Sequence, residues 1–163
     1  MAVFNLTELR ATLPRGGRLI GVDPGARQVG LALSDVTLTL ASPYGSLQRG
    51  KLAANAAEVA AIARKEGAGG LVVGLPLGMD GSFGPAAQAA KDWGRALADA
   101  AGLPVAFWDE RLSSAAVNRA MIEADLTRAK RAKAVDAAAA AYMLQGALDA
   151  SAPDAGAGWS TPG

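Results

Sequence analysis

The stretch RLIGVDPGARQVGLALSD, from Arg18 to Asp35, decides the fold. An apolar run precedes the turn Pro24–Arg27, and apolar residues alternate with others after it, which is typical of two paired strands. We predict strands over Arg18–Asp23 and Gln28–Asp35, joined as a hairpin. A carboxylate at the end of a buried strand is unfavourable unless hydrogen bonds, a counter-charge or a metal ion compensates the lost water. Asp23 is therefore a candidate functional residue.

The composition places the chain among globular proteins. Its 163 residues fit one domain, with 51% hydrophobic and 19% charged residues. No apolar run approaches the ~20 residues that cross a membrane, and the N-terminus lacks the pattern of a secretory signal. We therefore expect a cytoplasmic protein that does not associate with membranes.

The chain has neither cysteine nor histidine. This excludes disulfides, thiol nucleophiles, histidine-based triads and the usual Cys/His zinc sites. Catalysis would depend on carboxylates, Lys and Arg, hydroxyls and hard metal ions. Oxygen ligands suit Mg²⁺ or Mn²⁺.

After the hairpin, the sequence predicts alternating strands and helices. The predicted strands are Leu38–Ala41, Gly70–Leu75 and Pro104–Trp108, and the predicted helices are Lys51–Glu66, Pro85–Gly102, Ser113–Ala124 and Arg128–Ala150. This order predicts an α/β fold with a mixed sheet flanked by helices. We assign residues 1–17 to an N-terminal lead-in, 18–150 to one domain and 151–163 to a flexible tail.

Four chain segments are expected at one edge of this sheet, where the first, fourth and fifth strands end. Asp23 ends the first strand, and the loop GLPLGMDG (Gly74–Gly81) leaves the fourth. Glu110 follows the fifth strand in FWDERLSS, and Asp136 lies on the last helix. Each acid alone has a simpler explanation, as a turn residue, as a pre-helix pair with Asp109, or as a surface partner of Lys133.

Three converging acids, however, would repel each other unless a divalent cation neutralised them. Carboxylate clusters of this kind bind two Mg²⁺ or Mn²⁺ ions, which clamp the attacking and leaving oxygens of a phosphoryl displacement. The three acids together therefore favour metal-dependent phosphodiester chemistry.

The motifs GVDPGARQVGLALSD, VVGLPLGMDG, DERLSS and VDAAAAAYML, in this order and spacing, resemble those of the bacterial pre-16S rRNA nuclease family, also described as Holliday junction resolvase-like. The resemblance covers Arg18 to Ala150. It implies a ribonuclease H-like fold with a five-stranded mixed sheet in the order 3-2-1-4-5. It also implies that Asp23, Glu110 and Asp136 form the catalytic, metal-binding triad.

Further residues are candidates for holding the substrate. An arginine beside the second acid can bind phosphate through two hydrogen bonds, and a basic run before the helical aspartate can hold a nucleic-acid backbone. Backbone N–H groups of loop glycines can surround a phosphate. The candidate substrate-binding residues are Arg111, Lys130, Arg131, Lys133, Gly78 and Gly81.

The resemblance implies a hydrolase that processes the 5′ end of pre-16S rRNA. Its partners would be a structured RNA precursor and a pre-ribosomal particle, and we expect a monomer or a weak homodimer. The alternative is a Holliday junction resolvase acting on branched DNA, which would need two active sites and therefore a two-fold dimer.

Two other classes are weaker alternatives. A non-catalytic nucleic-acid-binding module would not need three intact acids. An ATP-binding phosphotransferase of the actin and sugar-kinase type also opens with an Asp-Gly hairpin, but it needs a second domain for which this chain has no room.

Overall fold

A computed structural model of the chain describes residues 3–25, 27–77, 80–109 and 128–153. The strands are β1 (Val3–Phe4), β2 (Arg18–Pro24), β3 (Gln28–Ser34), β4 (Ala41–Gln48), β5 (Ala68–Leu75) and β6 (Val105–Asp109). The helices are α1 (Leu6–Thr12), α2 (Leu52–Glu66), α3 (Pro85–Ala101) and α4 (Arg128–Ser151). The helix predicted over Ser113–Ala124 and the tail from residue 154 lie outside the described residues. None of the described helices is long and apolar enough to span a membrane.

The strands form one mixed sheet in the order β1-β6-β5-β2-β3-β4. β3 is antiparallel to β2 and to β4, whereas β2, β5, β6 and β1 run parallel to one another. Apart from β1, the order of the strands is β4-β3-β2-β5-β6, which confirms the predicted sheet order 3-2-1-4-5. β1 adds a short sixth strand beside β6, which the sequence analysis did not predict.

The N-terminal segment assigned as a lead-in contains β1 and α1. Asn5 begins α1 as its cap, because its side chain accepts a hydrogen bond from the Glu8 N–H at 2.8 Å. Leu6 and Leu9 are buried in the same core cluster as residues of α4. The segment is therefore packed against the sheet and contributes to the core.

The third predicted strand was wrong in its bounds. We expected Leu38–Ala41 with a stop at Pro43, whereas β4 extends from Ala41 to Gln48 and includes that proline. β4 lies at the edge of the sheet, where a missing backbone N–H is tolerated. The register also shifts between Leu31 and Ala32, which accommodates one extra residue in β4.

Two hydrophobic layers hold the helices on the sheet. We call the two sides of the sheet the α4 face and the α2/α3 face. The α4 face buries Leu19, Ala32, Val72 and Ala106 against α4. The α2/α3 face buries Ile20, Val22, Val29, Leu31, Leu71, Val73 and Val105. Side chains alternate between the faces along each strand, so the face of a strand residue follows from its neighbours.

The turn between β3 and β4 is organised around Asp35. Its carboxylate accepts hydrogen bonds from the Thr37 hydroxyl and from the backbone N–H groups of Thr39 and Leu40, at 2.8 and 3.1 Å for the latter two. The bond from Thr37, followed by the two backbone bonds, lowers the pKa of Asp35 to about 2. Gln145 of α4 bonds the carbonyl of Thr39 and so attaches the turn to the helix.

The Asp35→Asn variant tests this turn. Because folding lowers the pKa of Asp35, the stabilisation by its carboxylate is complete above the unfolded pKa and is lost as the pH falls towards about 2. We expect wild type to be more stable than the variant at neutral pH, with the difference in free energy of unfolding shrinking below about pH 4 and largely lost by about pH 2. Urea denaturation across this range measures it. A difference independent of pH would contradict the prediction.

Candidate active site

Asp23 lies at the end of β2 and faces the α4 side. It is directly opposite Gly30 in the antiparallel pair of β2 and β3. Leu19, four residues earlier, belongs to the core beneath α4, and a Cβ on Gly21 would lie 2.9 Å from the Cβ of Leu144 in α4. The alternation of side chains therefore turns Asp23 towards α4.

Asp136 of α4 lies over Gly30. A Cβ built on Gly30 would come 2.0 Å from the backbone oxygen of Asp136, so the helix touches the strand at a point where a side chain has no room. Residues directly opposed across an antiparallel pair have Cβ positions about 4.5–5.5 Å apart. The contact at Gly30 therefore brings the backbone of Asp136 next to Asp23. Both residues are half-buried.

A glycine lies beside Asp23 on the other side as well. β2 and β5 are in register at Val22 and Val73, so the next residue of β5, Gly74, lies alongside Asp23. Glycine contributes no side chain there. Two neighbouring carboxylates are hard oxygen donors of the kind that hold Mg²⁺ or Mn²⁺.

Asp109, the acid directly before Glu110 in the sequence, faces the other way. Phe107 of β6 packs into the α2/α3 core and Trp108 into the α4 core. Asp109 therefore follows Phe107 to the α2/α3 face, away from Asp23. In the part of the chain that the structure describes, no group of three acids is close enough to hold a metal ion. Glu110, the predicted third acid, lies outside that part.

The structure covers the predicted substrate-binding residues only in part. Gly81 is exposed, has a φ of 87° and lies in the loop between β5 and α3. The basic positions before Asp136 belong to the backbone of α4, but their side chains are outside the described set. These basic positions are Lys130, Arg131 and Lys133. Two further predicted substrate-binding residues, Arg111 and Gly78, lie wholly outside the described residues.

Sequence reasoning missed Arg49, which fixes the turn after Asp23. Its Nη1 donates a hydrogen bond to the Gly25 carbonyl at 2.8 Å, and its backbone N–H donates to the Arg27 carbonyl at 2.8 Å. The guanidinium lies 4.8 Å from the centroid of the Trp93 ring in α3. No pattern around Arg49 in the sequence indicates these contacts, because the turn and α3 are both distant from it along the chain.

The turn also requires glycine at position 25. A Cβ there would come 2.4 Å from the carbonyl oxygen of Gln28, which accepts the hydrogen bond of the Gly25 N–H at 3.0 Å. The backbone after Asp23 is thus closed on itself by this bond and attached to α3 through Arg49. The position of Asp23 is set by the turn as well as by the strand.

Known proteins are similar to this chain in sequence. The RuvX family model, described as Holliday junction resolvase, matches residues 17–150. A protein of Acidiphilium cryptum named "Putative pre-16S rRNA nuclease" is 69% identical over 149 residues, covering 91% of this chain and 94% of that protein. One of Gluconacetobacter diazotrophicus with the same name is 63% identical over 153 residues, covering 93% and 99%.

Solved structures share the fold. The structure of T. thermophilus RuvC in complex with Holliday junction substrate aligns with a TM-score of 0.51 and 19% identity, covering 82% of this chain and 94% of that one. At this identity the likeness concerns the architecture alone. It agrees with the ribonuclease H-like fold predicted from the motifs.

The Gly30→Ala variant tests the contact with α4. The added methyl group would overlap the Asp136 carbonyl, so the helix must move away from β3. We expect the free energy of unfolding to fall by about 1–3 kcal/mol or more. Gly45→Ala is the matched control, because nothing lies within 4 Å of a Cβ at Gly45. Equal stability of the two variants in urea denaturation would contradict the contact.

The Arg49→Leu variant tests the attachment of the turn. Loss of a charged hydrogen bond and of the stacking on Trp93 should lower the free energy of unfolding by about 2 kcal/mol. Arg64→Leu, at an exposed position of α2, should change it by less than about 0.5 kcal/mol. Thermal and urea denaturation compare the two, and a similar small effect of both substitutions would refute the role of Arg49.

Proposed function

Because the chain belongs to the RuvX family, we propose that it is a divalent-metal-dependent nuclease whose substrate is the precursor of 16S rRNA. The observation that carries the proposal is the meeting of Asp23 and Asp136 at the edge where the parallel strands end. Ligands of open α/β sheets bind at that edge. The names of the relatives from A. cryptum and G. diazotrophicus support the choice of RNA.

In this proposal Asp23, Glu110 and Asp136 hold one or two Mg²⁺ or Mn²⁺ ions. Glu110 is assigned as the third acid because it follows β6 directly in the sequence and because the motif DERLSS resembles the one that supplies this acid in the family. A divalent cation bound there supplies charge neutralisation and polarises the phosphate ester. The half-buried positions of Asp23 and Asp136 limit the water that competes for their carboxylates.

The other candidate residues bind the substrate. Arg111 follows Glu110 and makes bidentate hydrogen bonds to a phosphate. The basic residues one turn or more before Asp136 hold the backbone on either side, and backbone N–H groups of the β5–α3 loop contact a further phosphate. In that loop the positive φ of Gly81 allows close approach of a ligand to the backbone. The residues assigned to these roles are Lys130, Arg131, Lys133, Gly78 and Gly81.

A second candidate function is the resolution of four-way DNA junctions. The description of the matching family model as Holliday junction resolvase favours it. Symmetric resolution needs two active sites, hence a two-fold dimer. We propose instead a monomer or weak homodimer that acts in the cytoplasm on the pre-ribosomal particle.

The Asp23→Asn and Asp136→Asn variants test the proposal. Loss of a residue that only supports a metal ligand typically costs 10- to 100-fold, so loss of a ligand should lower the cleavage rate by at least about 100-fold. The assay is cleavage of a labelled pre-16S rRNA fragment and of a synthetic four-way DNA junction in Mg²⁺, Mn²⁺ or chelator. Asp149→Asn, exposed near the far end of α4, is the matched control and should retain wild-type activity.

Three outcomes separate the alternatives. Metal-dependent cleavage of the RNA that is lost in both variants supports the proposed nuclease. Paired, symmetric cleavage of the junction without cleavage of RNA would favour the resolvase. Undiminished cleavage by both variants would show that the reaction does not use this site.

A further inference from the structure

An exposed aromatic ring lies in the loop before α3. Phe83 is 47% exposed, which is unfavourable for a ring that gains from burial. Other large apolar residues are exposed in the described part of the chain, including Leu40 at 59%. Phe83 differs from Leu40 because a cation faces its ring: the Lys91 Nζ lies 5.8 Å from the ring centroid. An exposed ring beside an ammonium group offers one surface to a base and one charge to a phosphate.

The loop holds this ring in place. Asp80 accepts a hydrogen bond from the Ser82 N–H at 2.9 Å, directly before Phe83. Gly84, directly after it, begins α3 and accepts the hydrogen bond of the Gln88 N–H at 3.0 Å. The backbone that carries the ring is held on both sides, so it loses little conformational freedom when a ligand stacks on Phe83.

The packing of α3 places the ring at the same sheet edge as Asp23. Gly94 of α3 packs on the sheet, since its Cβ would lie 3.0 Å from Phe107 and 3.1 Å from Val73. Trp93 beside it stacks on Arg49, which binds the turn after Asp23. Lys91 lies only about 3 Å further along the helix axis, towards the loop that leaves β5.

Cations lie around the ring and the neighbouring turn. Arg27 on the turn is exposed and Arg49 is half-buried, and Lys91 adds a third positive charge on α3. Of the two acids close to Lys91 in sequence, Asp80 accepts a hydrogen bond from the Ser82 N–H and Asp92 accepts one from the Gln88 side chain. A polyanionic strand that crosses from α3 to the turn therefore meets cations on the approach to Asp23.

We propose that Phe83 and Lys91 form a binding site for one unpaired nucleotide of the substrate strand, with the base stacked on Phe83 and the adjacent phosphate at Lys91. The inference rests on the proposed nuclease function, because it makes this nucleotide a neighbour of the cleaved bond. Every base has a face that can stack, so the site tolerates any sequence. Bases in a duplex are already stacked on each other, so the site selects single-stranded segments over double-stranded ones.

Binding measured without metal tests the site independently of cleavage. The probes are a short single-stranded RNA containing 2-aminopurine, the same RNA in a duplex, and the matching single-stranded DNA, each titrated with the full chain in chelator. Phe83→Ala should weaken binding of both single strands by about 5- to 150-fold and quench 2-aminopurine less. Phe83→Trp should restore binding, and duplex affinity should be the same for all three proteins.

Matched variants separate the ring from the charge. Lys91→Ala should reduce the slope of log affinity against log salt by about one, as expected for one lost phosphate contact. Leu40→Ala, which removes an apolar side chain that is more exposed than Phe83, should bind like wild type. Asp149→Asn, which is remote from both proposed sites, should also bind like wild type. Because binding is measured in chelator and without cleavage, a failure of the proposed catalytic site would not affect this test.

Several results would overturn the inference. One is unchanged single-strand affinity of Phe83→Ala, and another is an equal loss for single strands and duplex. A third is the absence of nucleic-acid binding by the wild-type chain, which would favour a contact of this ring with another protein. If Leu40→Ala weakened single-strand binding as much as Phe83→Ala does, exposed apolar side chains in general would contribute to binding, and Phe83 would not form a specific site.

Discussion

The close contact between α4 and Gly30 is the constraint on which the rest of the structure depends. The carbonyl of Asp136 occupies the place of a side chain on β3, so the helix axis must come near the sheet. The alanines from Ala137 to Ala141, all buried, make such an approach feasible because they add little bulk between helix and strands. About two turns after Asp136, the Cβ of Leu144 packs closely over Gly21. Two small strand residues therefore determine where the helix lies.

This approach explains how acids can lie at the edge of a hydrophobic core. Two carboxylates brought close together repel each other when both are ionised. The apolar layers on both faces of the sheet and the turn bound by Arg49 fix the backbone positions of Asp23 and Asp136. A metal ion bound between the carboxylates would neutralise this repulsion, which agrees with the proposed chemistry.

The sequence predicted the elements whose signal is local. The hairpin around Pro24 and Gly25, the buried strand β5 and the helix α3 follow from periodicity and from their Pro and Gly boundaries. The expected strand order came from the family resemblance together with the order of the elements, and the grouping of Asp23 with Asp136, which lies on a helix, came from the resemblance. The contributions of Glu110 and the neighbouring arginine stay predictions.

Other features depend on tertiary contacts that leave no local pattern. β4 continues through Pro43 because its position at the edge of the sheet makes the missing N–H harmless. β1 has only two residues, and they form a strand because they pair with β6. Arg49 joins a turn, a strand end and α3, and neither its spacing nor its neighbours indicate this. Pattern reasoning finds such residues only after the elements have been placed in space.

The proposed catalytic and nucleotide-binding residues lie on different sides of the sheet. The acids project from the α4 face, whereas Arg49, Trp93 and Lys91 belong to the side covered by α2 and α3. The faces meet at one edge because β2, β5 and β6 all end there. A strand lying across that edge can contact both sets at once. Changes in the loop before α3 can then alter which strand is held without moving the carboxylates, since these are fixed by β2 and α4. In the proposed arrangement, substitutions near Phe83 can therefore change which substrate is bound without changing the residues that carry out the phosphodiester chemistry.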